Sequence, residues 1–119
     1  MKPSLVALLA SLALSAAARA HTPLASSTPA DKSSVPAPVK ELALTFGGDV
    51  RLTAVVLADA KGATKAVGEI PAAVAAKFAV EVRDELAPGD YVATWRAVGA
   101  DTHVISGEIH FTVTAPHAH

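Results

Sequence analysis

Residues 89–113 read GDYVATWRAVGADTHVISGEIHFTV. Tyr91, Ala93, Trp95 and Ala97 share one face, opposite Val92, Thr94, Arg96 and Val98. Further on, Ile109, Phe111 and Val113 alternate with Glu108, His110 and Thr112. Alternation with period two is the mark of half-buried strands, because successive side chains of a strand point to opposite faces. This stretch therefore reads as two strands, and it predicts a β-protein.

The pattern continues upstream. Leu42, Leu44 and Phe46 alternate with Glu41, Ala43 and Thr45. After a predicted turn at Gly47-Gly48-Asp49, the set Leu52, Ala54, Val56 and Ala58 continues the period. Phe78, Val80 and Val82 alternate with Ala79, Glu81 and Arg83. Asp59-Ala60-Lys61-Gly62 and Pro88-Gly89-Asp90 supply turn chemistry between runs. Pro71–Ala76 reads as a loop with room for a short helix, with proline at its first position. Residues 22–39 are rich in proline and serine and read as an irregular or edge-strand lead-in. Several short strands at this spacing predict a β-sandwich or barrel.

The start of the chain has the grammar of an export leader. Lys2 precedes an apolar run, Leu5–Ala18, broken only by Ser11 and Ser15, and Ala18-Arg19-Ala20 matches a secretory cleavage pattern. The run is short for a membrane span, which needs roughly 20 residues. Residues 1–20 are thus expected to be a cleaved signal peptide, and residues 21–119 one small domain. Cleavage after Ala20 leaves His21 with a free α-amine. The chain has no cysteine, which excludes disulfides, thiol catalysis and thiolate metal sites. A net charge of −1 argues against a nucleic-acid binder.

An N-terminal histidine offers its α-amine and ring Nδ1 to one metal ion. Pro23, third in the mature chain, has no amide hydrogen. That disfavours the alternative terminal site in which deprotonated amides surround Cu(II). Asp101 and His103 are two apart, so in an extended segment they face the same way. With His21 they make an N,N,N,O donor set, which suits a divalent first-row ion and Cu(II) above all. His110 reads as a solvated strand position, and His117 and His119 as part of a short tail.

HTPLASSTPADKSSV at residues 21–35 and the stretch from Ala87 to Val113 resemble the CopC family of periplasmic copper-resistance proteins. The matching features are a leading histidine, a Ser-x-Pro-Ala-Asp segment, and a Gly-x-Tyr…Trp-Arg…Asp-x-His…Ser-Gly-x-x-x-Phe-x-Val strand pair. The resemblance implies an all-β fold, a small Greek-key β-sandwich or barrel of the immunoglobulin-like or cupredoxin-like kind. It also implies that His21, Asp101 and His103 are the ligands of one Cu(II) per chain, that Trp95 is a core residue, and that a CopD-type membrane importer is a partner. Lys32 stands where the family often has glycine, and Val104 where proline often follows the histidine. Some members carry a Met-rich Cu(I) loop, but the sole methionine here is Met1. A single Cu(II) site is therefore expected in an exported, non-enzymatic carrier or buffer. Two other functions fit the same residues: a copper-brace monooxygenase-like enzyme, and a metal-free β-sandwich interaction module.

Overall fold

A computed structural model describes residues 24–116. The leader and the histidines at 21, 117 and 119 lie outside these residues. Seven strands form in order: β1 (Leu24–Thr28), β2 (Ser33–Pro36), β3 (Glu41–Asp59), β4 (Thr64–Lys65), β5 (Ala75–Glu81), β6 (Gly89–Gly99) and β7 (Val104–Thr114). No helix forms among the described residues, so none is long and apolar enough to cross a membrane. Pro71–Val74 is loop, and Ala75 already pairs with Val50. A single isolated helical turn is too short to hold itself together, and the sheet takes these residues instead.

The hydrogen-bonded path runs β1-β3-β6-β7-β2, with β4 and β5 also on β3. Neighbours are mostly antiparallel, but β2 runs parallel to β7. The chain thus crosses between distant strands in the manner of a Greek key, and the sheet curls into a small sandwich. The predicted turn at Gly47–Asp49 is a corner inside one continuous strand. Before it, β3 lies between β1 and β5; from Val50 onward it pairs with β6. A strand that changes sheets in this way makes the edge of a sandwich.

The expected face Leu52, Ala54, Val56 and Ala58 is corrected by a bulge. Leu52 faces Ala97 and Ala54 faces Arg96, so Thr53 is an extra residue. One extra residue moves every later side chain to the other face. Val55 and Leu57 are buried in consequence, and Val56 is 49% exposed.

Leu42, Leu44, Leu57, Val80, Ile109 and Val113 form the most deeply buried part of the core. Phe46 meets Trp95 edge to face at 5.2 Å and Phe78 at 6.0 Å. The Tyr91 hydroxyl donates to the Ala87 carbonyl at 2.6 Å, which satisfies its polar end within the fold. Trp95 is buried, as its alternation predicts, and lies across Gly107 of the neighbouring strand. A Cβ on Gly107 would sit 2.7 Å from the Trp95 ring. Gly107→Ala should therefore cost about 1–3 kcal/mol by overpacking. Urea unfolding followed by Trp95 fluorescence checks this.

The Pro-Ala-Asp segment closes one edge. Asp31 accepts the His110 backbone N–H at 2.8 Å, and the Lys32 N–H donates to the His110 carbonyl. Lys32 has φ 67°, the left-handed region where glycine is unstrained, which explains why a glycine suits that position. Asp31→Ala leaves the His110 N–H to water and should cost about 1 kcal/mol, read from the shift in urea midpoint at unchanged slope.

Candidate metal centre

The β6–β7 hairpin turns through Ala100-Asp101-Thr102. The Gly99 N–H donates to the His103 carbonyl and the Thr102 N–H to the Gly99 carbonyl, both at 3.0 Å. Thr102 has φ 67°. This is a three-residue hairpin loop closed by a left-handed residue. Asp101 and His103 do meet, but not because they share the face of an extended strand. The turn brings them together: His103 Nδ1 lies 2.8 Å from Asp101 Oδ2, and the His103 backbone N–H donates to Asp101 Oδ1 at 3.2 Å.

Both side chains are well exposed. The His103 ring and backbone N–H hold the Asp101 carboxyl below the ordinary carboxylate range. The same contact, with the carboxylate charge, raises His103 above the ordinary imidazole value. The pair is thus an ion pair when His103 is protonated. It offers a nitrogen and oxygens to a metal when His103 is not.

Beside it lies a cavity of about 570 Å³ lined by Gly48, Asp49, Val50, Gly99, Val104 and Ile105 together with the pair. Asp49 adds a second carboxylate to this cavity. Sequence reading passed over it because Gly47-Gly48-Asp49 has the composition of a turn, and nothing local shows that the corner of β3 abuts the β6–β7 hairpin. Among the described residues no three His, Asp or Glu side chains converge as a metal cage. His103 and Asp101 are a partial donor set, chemically suited to a first-row divalent ion. The expected third residue, His21, falls outside the described residues.

The CopC domain model matches residues 24–114. The chain belongs to the CopC family. It is 33% identical over 116 residues to copper resistance protein C of Pseudomonas syringae pv. tomato, covering 87% of this chain and 89% of that one. CopC from Methylosinus trichosporium OB3b superposes with a TM-score of 0.69 at 27% identity, covering 83% of this chain and 99% of that chain. PcoC, a methionine-rich copper resistance protein from Escherichia coli, superposes at 0.64 with 33% identity, over 80% of this chain and all of the other.

In this CopC-family chain His110 and Arg96 lie along β7 and β6, away from the hairpin's turn. His110 lies on the exposed face of β7, with Nε2 3.0 Å from Glu108 Oε1, and does not line the cavity beside His103. Arg96 is exposed and makes no side-chain hydrogen bond or ion pair among the described residues; its carbonyl accepts from Thr53 Oγ1.

Proposed function

We propose that this CopC-family protein binds one Cu(II) per chain and sequesters or carries it in the periplasm, through His21, Asp101 and His103. The observation that supports this most is the contact between Asp101 and His103 on a tightly closed hairpin. The turn thus brings these two proposed ligands together before metal arrives. The cavity adds a further favourable charge at Asp49.

The start of β1 supports His21 as the third ligand. β1 begins at Leu24 opposite Phe46, and Gly48 and Asp49, two and three residues farther along β3, line the cavity. Three extended residues span at most about 10 Å. The leader places cleavage after Ala20, which frees the His21 amine. A membrane importer of the CopD type is the proposed recipient of the metal.

The enzyme reading finds less support. The chain has one tryptophan and one tyrosine, and both are buried. That leaves no tryptophan or tyrosine platform for a polysaccharide. Copper-loaded protein with reductant should consume no more oxygen than free buffer with a matched copper chelate.

Soft ligands are scarce as well. With no cysteine and its one methionine in the leader, the mature chain lacks what Cu(I) prefers. Titration of protein beginning at His21, its N-terminus confirmed by mass, should show one tight Cu(II) equivalent. Cu(I) should be lost to a competing chelator. Two tight Cu(II) equivalents, or Cu(I) retained against the chelator, would overturn the single-site proposal.

A further inference from the structure

The β7 strand has two edges, and only part of the outer one is used. Along β6 the bonded pairs follow Gly99 with His103: Ala97 with Ile105, Trp95 with Gly107, Ala93 with Ile109. In an antiparallel pair the residues between them turn their N–H and C=O outward. His110 shows this directly, since both of its backbone groups bond to the Asp31–Lys32 segment. Strand β2 then covers β7 from Phe111 to Thr114. Val104, Ser106 and Glu108 have the same outward phase, and their backbone groups have no protein partner among the described residues.

That edge faces another one. Among the described residues β1 pairs with β3 alone. Between the outer edges of β1 and β7 lies a groove of about 720 Å³, floored by Trp95 and Gly107 and flanked by Leu24, Ser26, Asp31 and Glu108. Its size falls within the ~300–1,000 Å³ range of sites that hold ligands. Its described walls carry two carboxylates and no lysine or arginine.

We propose that this groove is a docking site in which an extended, basic segment of a partner protein adds as a strand to Val104–Glu108. An unpaired strand edge is a template for main-chain pairing, and strand addition takes its affinity from those hydrogen bonds. The carboxylate oxygens of Asp31 and Glu108 that His110 does not hold select lysine or arginine on the incoming segment. They also disfavour a second copy of this chain, because edge-to-edge pairing about a two-fold axis would bring these acidic walls together. The edge begins one residue after His103, so a docked strand ends beside the Asp101–His103 hairpin. The proposal stands on the unpaired edge and does not require that copper binds there.

The test uses the metal-free mature protein and blocked hexapeptides, followed by amide NMR. A Val-Lys-Val-Lys-Val-Lys peptide should shift the Ser106 and Glu108 amides and slow their hydrogen exchange. It should bind at least about tenfold more tightly than the Val-Glu counterpart. The same Lys peptide with alternate amides N-methylated keeps its charge but loses its donors, and should bind at least about tenfold more weakly. Glu108→Lys, with its fold checked by thermal melting, should weaken the Lys peptide several-fold. Equal binding of the methylated peptide would reduce the contact to loose charge attraction and overturn strand addition. Equal binding of the Val-Glu peptide would overturn the basic partner. A concentration-dependent dimer that protects the same two amides would overturn it in favour of self-association.

Discussion

His103→Ala should lower the Cu(II) affinity of protein beginning at His21 by roughly 100-fold or more, because removing a proposed ligand costs at least as much as the ~10–100-fold typical of outer-shell changes. His110→Ala leaves it unchanged, since that ring lies on the outer face of β7 beside Glu108. Competition titration checks both, and a damaging His110→Ala would move the site to the middle of the strand. The neighbouring carboxylate gives this prediction a pH signature. Asp101 raises His103, so in the metal-free protein protons hold that ring to a higher pH than an ordinary imidazole of about 6.5. Copper binding at the proposed site should therefore weaken as pH falls, with the decline beginning above the ordinary value. Asp101→Asn removes the charge and moves the His103 titration down toward that value, which NMR of the ring protons follows. In the metal-free protein the pair's stabilising effect has two limits. The His103 share is complete below its ordinary value of 6.5 and is lost as pH rises through the raised folded value. The Asp101 share is complete above 3.8 and is lost as pH falls through the lowered folded value. Both groups are exposed, so the effect on global stability is small.

The fold was legible wherever alternation was uninterrupted. Leu42, Leu44 and Phe46, and the faces of Tyr91–Ala97 and Ile109–Val113, are buried as their period predicts. It was illegible where the backbone breaks its own period. Thr53 gives no local sign that it is a bulge, because Leu52 through Ala58 also alternates acceptably in the wrong phase. Gly47-Gly48 has turn composition whether the chain reverses or merely changes sheet, and only the partners of β3 decide which. The Asp101–His103 contact was legible as a pair but not as a turn. The two-residue spacing brings Asp101 and His103 together in either conformation, so the right neighbours followed from an incorrect local geometry. Asp49 could not be placed from sequence at all. Its proximity to the hairpin depends on Val50 pairing with Gly99, a contact between residues far apart in the chain.

Adding one N-acetylated glycine ahead of His21 should lower Cu(II) affinity roughly 100-fold or more while leaving every side chain in place, as loss of a proposed direct ligand rather than an outer partner. The reason lies in the α-amine. Its reference pKa of about 7.7–8.0 lets it lose a proton near neutral pH and bind metal together with the ring. In the extended protein that nitrogen is an amide, which must lose its own proton to bind, and the acetyl cap removes the new terminal amine that would otherwise anchor a Gly-His chelate. Asp101 and His103 remain, so residual binding should resemble that of a two-donor site. The pH response separates this from a general disturbance. Protein beginning at His21 would release protons from the amine and from both imidazoles on binding through the proposed site, so its affinity should rise steeply between about pH 5 and 8. The extended protein lacks the amine's share, and its affinity should rise less steeply over that window. Matched competition titrations, with circular dichroism to confirm unchanged folding, measure both the loss and the slope. Equal affinities and equal slopes would place the copper site away from the mature terminus, and the position of His21 immediately after Ala20 would have no bearing on it.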